Sequence, residues 1–212
     1  MHKFEIITEA DARTLGIGTT VELVAGGVIT PLAKDTLAAR RVTVVTAGAF
    51  DPALAAGLAP VADIRRVTIG NDHSGIPLKK AIVQHLRGRG LAVLDVGTDR
   101  TDPVDYPDTA GAVAKSVARN EAEAGIAIDG AGIGSAIAAN KVRGVRAAMC
   151  LDETTARYAR EHNGTNVLCL GATLLPSTEA ALRIVDVWLG TPMREARYIR
   201  RLIKIRRLEA EG

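Results

Sequence analysis

The sequence predicts an α/β fold, a parallel β-sheet covered by helices on both faces, preceded by a small α/β extension. Three observations carry this. Over residues 67–212, short apolar runs alternate with helix-forming stretches, the pattern of βαβ units. Aromatic residues make up only 3% of a chain that is 47% hydrophobic, so the core must be aliphatic. Alanine, valine, isoleucine and glycine are abundant, and such side chains let helices lie close to a sheet buried on both faces. At 212 residues the chain suits one or two domains with a substantial core.

Residues 1–66 read as an accessory region, and residues 67–212 as the main domain. Within the first, Glu9–Thr14 reads as a short polar helix, and residues 21–24 and 28–29 as strand fragments around Gly26-Gly27. Residues 31–40 form a helix with Pro31 in its first turn, where a missing N–H costs nothing. A strand at 42–45 and a short helix at 51–58 follow, then a linker at 60–66.

The main domain opens with an apolar strand at 67–71, ending in Asp72-His73-Ser74-Gly75. Ser74 as cap, Pro77 in the first turn, and Leu78, Ile82 and Leu86 at helical spacing mark the next helix. A strand at 91–96 is closed by Gly97. A polar loop at 102–108 leads to an alanine-rich helix at 109–119. Residues 125–128 form a buried strand, and after a glycine-rich turn a helix starts at 137–140. Strands at 145–150 and 166–170 flank a helix at 152–162, and helices at 177–189 and 194–208 close the chain. Ligands of such sheets bind beyond the carboxyl ends of the strands. Those ends are expected to carry Asp72-His73, the stretch from Asp129 to Gly134, and the loop around His162-Asn163.

The stretch from Ala127 to Lys141 holds the chemistry. Glycines let backbone N–H groups approach a ligand, and a helix N-terminus adds free donors and partial positive charge. The turn therefore suits an anion or a developing oxyanion. Asp129 stands at the strand end, a base beside the place where negative charge would form. Taken alone, the stretch fits either the catalytic centre of an isomerase or a tight strand–helix turn with a solvated Asp129.

Composition narrows the alternatives. A net charge of +3 and a pI near 9.0 permit anionic substrates without demanding nucleic acid, and few aromatics are available for base stacking. Gly130, Gly132 and Gly134 superficially match a dinucleotide-binding turn, but the third glycine falls one position early and the turn follows an internal strand. Cys150 and Cys169 lie in apolar runs outside any CxxC pair and read as buried thiols, with no metal or disulfide role. The first ten residues lack a signal-type apolar core, and no run is long enough to span a bilayer, so a cytoplasmic chain without membrane contact is expected.

Residues 67–212 resemble the ribose-5-phosphate isomerase B and galactose-6-phosphate isomerase family. The resemblance rests on Asp72-His73-Ser74-Gly75 with Leu78-Lys79, on Val104-Asp105-Tyr106-Pro107-Asp108, and on Gly132-Ile133-Gly134 with Ile137-Ala138-Ala139-Asn140-Lys141. Ala159-Arg160-Glu161-His162-Asn163 and Asn166-Val167-Leu168 extend it. It implies a flavodoxin-like (Rossmann-like) sheet, a homodimer or homotetramer whose sites draw on two subunits, and a proton transfer between adjacent sugar carbons through an enediolate, with no metal or cofactor. By resemblance His162 opens the sugar ring, with Asn163 beside it. Asp72 and His73 contact hydroxyls and phosphate. Tyr106 lines the pocket. Gly130, Gly132, Gly134 and Ser135 form the turn, and Asn140 supports it. Arg197 and Arg201, at i, i+4 on the last helix, clamp the phosphate.

Three departures from the family pattern stand out, in the base, in one donor and in one cation. Asp129 stands where many members carry a cysteine base, and Ser135 where another branch carries a glutamate. Ala131 replaces a hydroxyl residue, and Thr173 an arginine that helps bind phosphate. These changes imply an aldose–ketose isomerase of altered specificity, acting on a sugar phosphate or a related small sugar. The alternative is a non-catalytic binding or assembly protein on the same scaffold. Residues 27–35 are similar to a segment of proteins associated with bacterial microcompartments, which implies a docking role for the N-terminal region and a location within such a compartment.

Overall fold

A computed structural model describes residues 2–46, 57–61, 63–193 and 196–211, the side chains of 196 and 197 excepted. The chain divides into two compact units, residues 1–59 with 193–212, and residues 60–192.

The first unit holds a three-stranded parallel sheet, β1 (Lys3–Ile7), β2 (Thr20–Ile29) and β3 (Thr43–Thr46), in the order β1-β2-β3. Helices α1 (Glu9–Thr14) and α2 (Pro31–Ala39) make the crossovers. Thr8 and Asp11 form a capping box at α1, and the Thr30 hydroxyl caps α2 ahead of Pro31. Ile7, Ala12, Leu15, Val21, Leu23, Ala33 and Leu37 form the core between helices and sheet. The two strand fragments expected around Gly26-Gly27 are one ten-residue strand. Gly26 takes a φ of +81°, and a Cβ on Gly27 would lie 2.8 Å from the Glu5 carbonyl, so glycine lets the strand continue through a distortion. Of the helix expected at 51–58, residues 51–56 lie outside the described residues. The last helix, α8 (Ala196–Glu211), packs Ile199, Leu202 and Ile203 with Leu58. It groups with the first unit rather than with the sequence that precedes it.

The second unit is built on five parallel strands, β4 (Arg66–Asn71), β5 (Ala92–Asp95), β6 (Ala124–Asp129), β7 (Ala147–Met149) and β8 (Val167–Gly171). Their order is β5-β4-β6-β8-β7. Numbered within the unit this is 2-1-3-5-4, the flavodoxin-like arrangement with its last two strands exchanged. Helices α3 (Ile76–Gly88), α6 (Glu153–Asn163) and α7 (Thr178–Gly190) pack on one face against Ile126, Ile128, Leu168 and Leu170. Helices α4 (Tyr106–Ala118) and α5 (Ile133–Ala139) cover the other, against Ala127 and Cys169. Both α4 and α5 start earlier than their apolar spacing predicts. Pro107 sits inside the first turn of α4, and Gly132, at φ +77°, swings the chain into α5 at once. Among the described residues no helix is long and apolar enough to cross a membrane.

Candidate active site

The connection that leaves β4 runs to β5 on one side, and the one that leaves the neighbouring strand β6 runs to β7 on the other. The crevice beyond the carboxyl ends of β4 and β6 is thus the topological switch point, where open α/β sheets take their ligands. Two loops meet there. After β4, the Asp72 carboxylate accepts hydrogen bonds from the Ser74 N–H at 2.9 Å and the Ser74 hydroxyl at 2.6 Å, capping a 3-10 turn over His73–Gly75. His73 Nδ1 accepts a hydrogen bond from the Val104 backbone N–H at 3.2 Å. A backbone N–H can bond only an unprotonated ring nitrogen, so the imidazole proton resides on Nε2.

After β6 comes the glycine turn. Gly130 faces the β4 loop closely enough that an added Cβ would touch the Ser74 hydroxyl at 3.9 Å. The Gly130 carbonyl accepts from both the Thr173 N–H, at 3.0 Å, and the Thr173 hydroxyl, at 2.6 Å. Gly132 has no space for a side chain, since a Cβ would lie 2.8 Å from Met149 Cγ and 3.0 Å from the Gly171 nitrogen. Gly134 lies under the Tyr106 ring, 2.5 Å from where its own Cβ would be, and Tyr106 is 41% exposed. Asp72, His73, Tyr106, Asp129, Gly130, Gly132, Gly134 and Ser135 therefore all come together at this edge.

The Asp129 side chain, only 4% exposed, turns back into its own turn. One oxygen accepts from the N–H groups of Ala131, at 2.9 Å, and Gly132. The other accepts from the Ser135 N–H at 2.8 Å and the Ser135 hydroxyl at 2.6 Å. A carboxylate has about four acceptor sites, and four donors meet them. The donors expected to await an oxyanion thus already hold a resident one. No thiol offers an alternative base here. Burial pushes the Cys150 thiol up to about 12. It raises Cys169 still further, with the neighbouring Asp129 carboxylate adding to the effect.

Three expected site residues lie elsewhere in the unit. Helix α6 starts after β7 and runs back against the strands for 11 residues, about 16 Å at 1.5 Å per residue. The loop around His162-Asn163 is therefore at the amino edge of the sheet, not the carboxyl edge, and leads into β8 where Val167 pairs with Gly125. From Gly125 to Asp129 that edge is about 13 Å from the glycine turn. His162 stacks on Tyr158, ring centroids 4.6 Å apart, and the Asn163 amide donates to the Tyr158 carbonyl at 3.2 Å. Asn140 does not support the glycine turn. Its amide donates to the carbonyls of Ala136 and Ala147, both at 2.9 Å, and accepts from the Ala147 N–H at 2.8 Å, clasping the end of α5 to β7. Arg197 and Arg201 lie on α8 in the first unit, where the Arg201 guanidinium sits 5.7 Å from the Tyr198 ring.

The arrangement also includes residues that motif reading did not single out for a role. Asn71, fully buried, donates to the carbonyls of Asp72, at 2.7 Å, and Thr98, at 3.0 Å. Lys79, 1% exposed, sits on α3 with its ammonium turned to the loop after β5. A lysine next to the apolar positions Leu78 and Ile82 was the available signal.

Residues 67–205 match the Ribose/Galactose Isomerase family. The chain belongs to the ribose/galactose isomerase family. Ribose-5-phosphate isomerase B of Escherichia coli K12 is 42% identical over 146 residues, spanning 69% of this chain and 97% of that protein. The solved structure of Clostridium thermocellum ribose-5-phosphate isomerase B superposes with a TM-score of 0.67 at 43% identity, covering 69% of this chain and 98% of that one. The Mycoplasma genitalium ribose-5-phosphate isomerase B, solved with bound ribulose-5-phosphate, gives 0.67 at 41% identity, over 69% and 97%. With these relatives, this chain is an isomerase, of the intramolecular oxidoreductase class.

Proposed function

We propose that the chain interconverts an aldose phosphate and its ketose at the crevice between β4 and β6, by way of an enediolate. The observation that supports this is the meeting of Asp72, His73 and the Asp129 turn at the switch point of a ribose/galactose isomerase sheet. The substrate is a sugar phosphate, as the name of the ligand in the Mycoplasma genitalium relative suggests, or a related small sugar. In this reading Asp129 takes the proton from the carbon beside the carbonyl. The C–H electron pair becomes the C=C bond and the carbonyl oxygen becomes the oxyanion, which takes the proton of the neighbouring hydroxyl. The same carboxyl then returns its proton to the former carbonyl carbon while the deprotonated oxygen closes the new carbonyl. Asp129 must first release one of its four hydrogen bonds, and the Ser135 hydroxyl, able to rotate, is the one to yield.

His162 opens the ring and Arg197 and Arg201 hold the phosphate, preferred over lysine for their bidentate match to phosphate oxygens. His162 and Asn163 lie at the far edge of their own sheet, so a site that contains them together with Asp129 takes them from a second copy. A homodimer, or a pair of dimers, follows from this reading. Thr173, bonded to the Gly130 carbonyl, offers no cation to the phosphate, which favours a smaller or differently placed anion than in relatives with arginine there. Residues 67–212 form the isomerase domain and residues 1–66 an accessory docking region in this proposal.

A second reading is a non-catalytic binding scaffold, favoured by the complete satisfaction of the Asp129 carboxylate. Hydrogen–deuterium exchange at sugar C2 in heavy water, over aldose and ketose phosphates of four to six carbons, separates the two. Exchange with one of them, lost in Asp129→Asn, is the expected result. No exchange with any sugar establishes the scaffold, and full exchange in Asp129→Asn removes Asp129 from the reaction.

A further inference from the structure

His73 is held by a single backbone hydrogen bond from Val104, so the position of Val104 decides how the ring is presented. Val104 lies in the loop from Gly97 to Asp105 between β5 and α4. That loop is anchored at its start by two buried side chains, Lys79 and Asn71, and by the Thr98 N–H on the Asn71 backbone carbonyl at 3.3 Å. The Lys79 ammonium bonds Asp95 at 3.0 Å, Asp99 at 3.1 Å and the Thr98 carbonyl at 3.1 Å, so its three donors all have partners at the loop's root. Asn71 adds a bond to the same Thr98 carbonyl at 3.0 Å. Lys79 and His73 belong to one continuous segment, the 3-10 turn and the first turn of α3. The segment and the loop are therefore joined at two points, Lys79 to residues 95–99 and His73 to Val104.

We propose that Lys79 is a positioning residue for His73: by fixing the loop after β5 it keeps the Val104 N–H on Nδ1 and holds the imidazole as the Nε2–H tautomer, a donor to the anionic ligand. A free histidine would exchange between two tautomers and offer a donor only part of the time at either nitrogen. A buried ammonium serves as anchor because its own charge is costly unless Asp95 and Asp99 stay in place, which ties the loop to α3. The ligand clause rests on the isomerase reading above, while the tautomer stands on the geometry alone.

The test is 15N spectroscopy of the histidine side chains in the unliganded full chain, well above the ordinary histidine pKa of about 6.5. The His73 signals are assigned by their loss in His73→Gln. The expected result is one tautomer, protonated at Nε2, in the unmodified protein. In Lys79→Met the two ring nitrogens should move towards a common, averaged shift. Asp99→Ala, which removes only the outermost partner, should move them part of the way. Val104→Pro, which deletes the donor and leaves Lys79 intact, should reproduce Lys79→Met. In the exchange assay Lys79→Met should raise KM roughly tenfold with a smaller change in kcat, the worth of one hydrogen bond to a charged group. An Nδ1–H tautomer in the unmodified protein overturns the proposal, as does an unchanged His73 signature in folded Lys79→Met or, should that variant not fold, in Asp99→Ala. Because the spectra need no substrate, absence of isomerase activity would leave this outcome readable by itself.

Discussion

The two parallel sheets of this chain are built by the same rule and end in different chemistry. In the first, β1, β2 and β3 follow one another in spatial order, each crossover stepping the same way. In the second, the chain steps from β4 to β5 and then back across β4 to β6. Only the second sheet therefore opens a gap between two loops at its carboxyl edge, and the family's polar residues cluster there: Asp72, His73 and the Asp129 turn. The first sheet carries comparable local devices, a capping box at Thr8 and Asp11 and a glycine at φ +81°, but they serve its own connections. A reversal of strand order, rather than the presence of glycines or caps, sets apart the sheet with a candidate site.

The largest way to break that contrast is Asp129→Ala. It strands the N–H groups of Ala131, Gly132 and Ser135 and the Ser135 hydroxyl in a buried turn, at a net cost of about 4 kcal/mol, water recovering part of the loss. Urea unfolding measures it, and a loss below about 1 kcal/mol would show that the turn does not depend on its resident carboxylate. Next is Gly132→Ala. The left-handed φ costs about 1 kcal/mol for a residue with a Cβ, and the methyl would press on Met149 and on the backbone at Gly171. About 3 kcal/mol in total is expected, with loss of turnover, because the crevice wall must shift.

Glu123→Gln probes the opposite edge of the same sheet. Burial pushes the Glu123 carboxyl up, but the Arg66 guanidinium and the N–H groups of Arg66 and Arg65 outweigh it and hold the group below its ordinary 4.5. A carboxyl lowered in the folded state stabilises the protein above its unfolded pKa, and that stability is lost as pH falls through the folded value. The variant should be less stable by about 1 kcal/mol at neutral pH and no less stable once the medium is more acidic than the folded pKa. Unfolding curves across pH 2–7 would reveal it, and a difference that persists at the acid end would assign the effect to packing instead.

How much of this was legible in the sequence depends on the element. Strands β4, β6 and β8 of the second sheet are apolar runs buried on both faces, and they are found where such runs predict. Strand β1 is not an apolar run: Lys3 and Glu5 alternate with Phe4 and Ile6, a period-2 signal too short to stand out in a segment that reads as polar. The glycines and the Asp72-His73 pair announced the crevice. The far placement of His162 and Asn163 was also within reach: an 11-residue helix leaving a strand's carboxyl end is long enough to return the chain to the amino edge. The four hydrogen bonds of Asp129 were not legible, since they depend on whether one side chain turns outward or back onto its own loop. The same holds for Lys79, whose three partners come together only once β5 lies beside β4.

The smallest effect belongs to Gly26→Ala, and it sharpens the comparison most directly. Gly26 and Gly132 share the left-handed backbone, at φ +81° and +77°, so the conformational cost of an alanine is alike at both. They differ in surroundings, because a Cβ at Gly26 meets nothing within 4 Å while one at Gly132 meets Met149 and the β8 backbone. Gly26→Ala should therefore cost only the backbone term, about 1 kcal/mol, and leave sugar exchange untouched. The difference between the two variants then isolates the close packing of the crevice wall from backbone strain. Equal losses of stability in the two would mean that the turn after β6 is no more tightly built than a bend in the accessory sheet, and the distinction drawn between the sheets would fall with it.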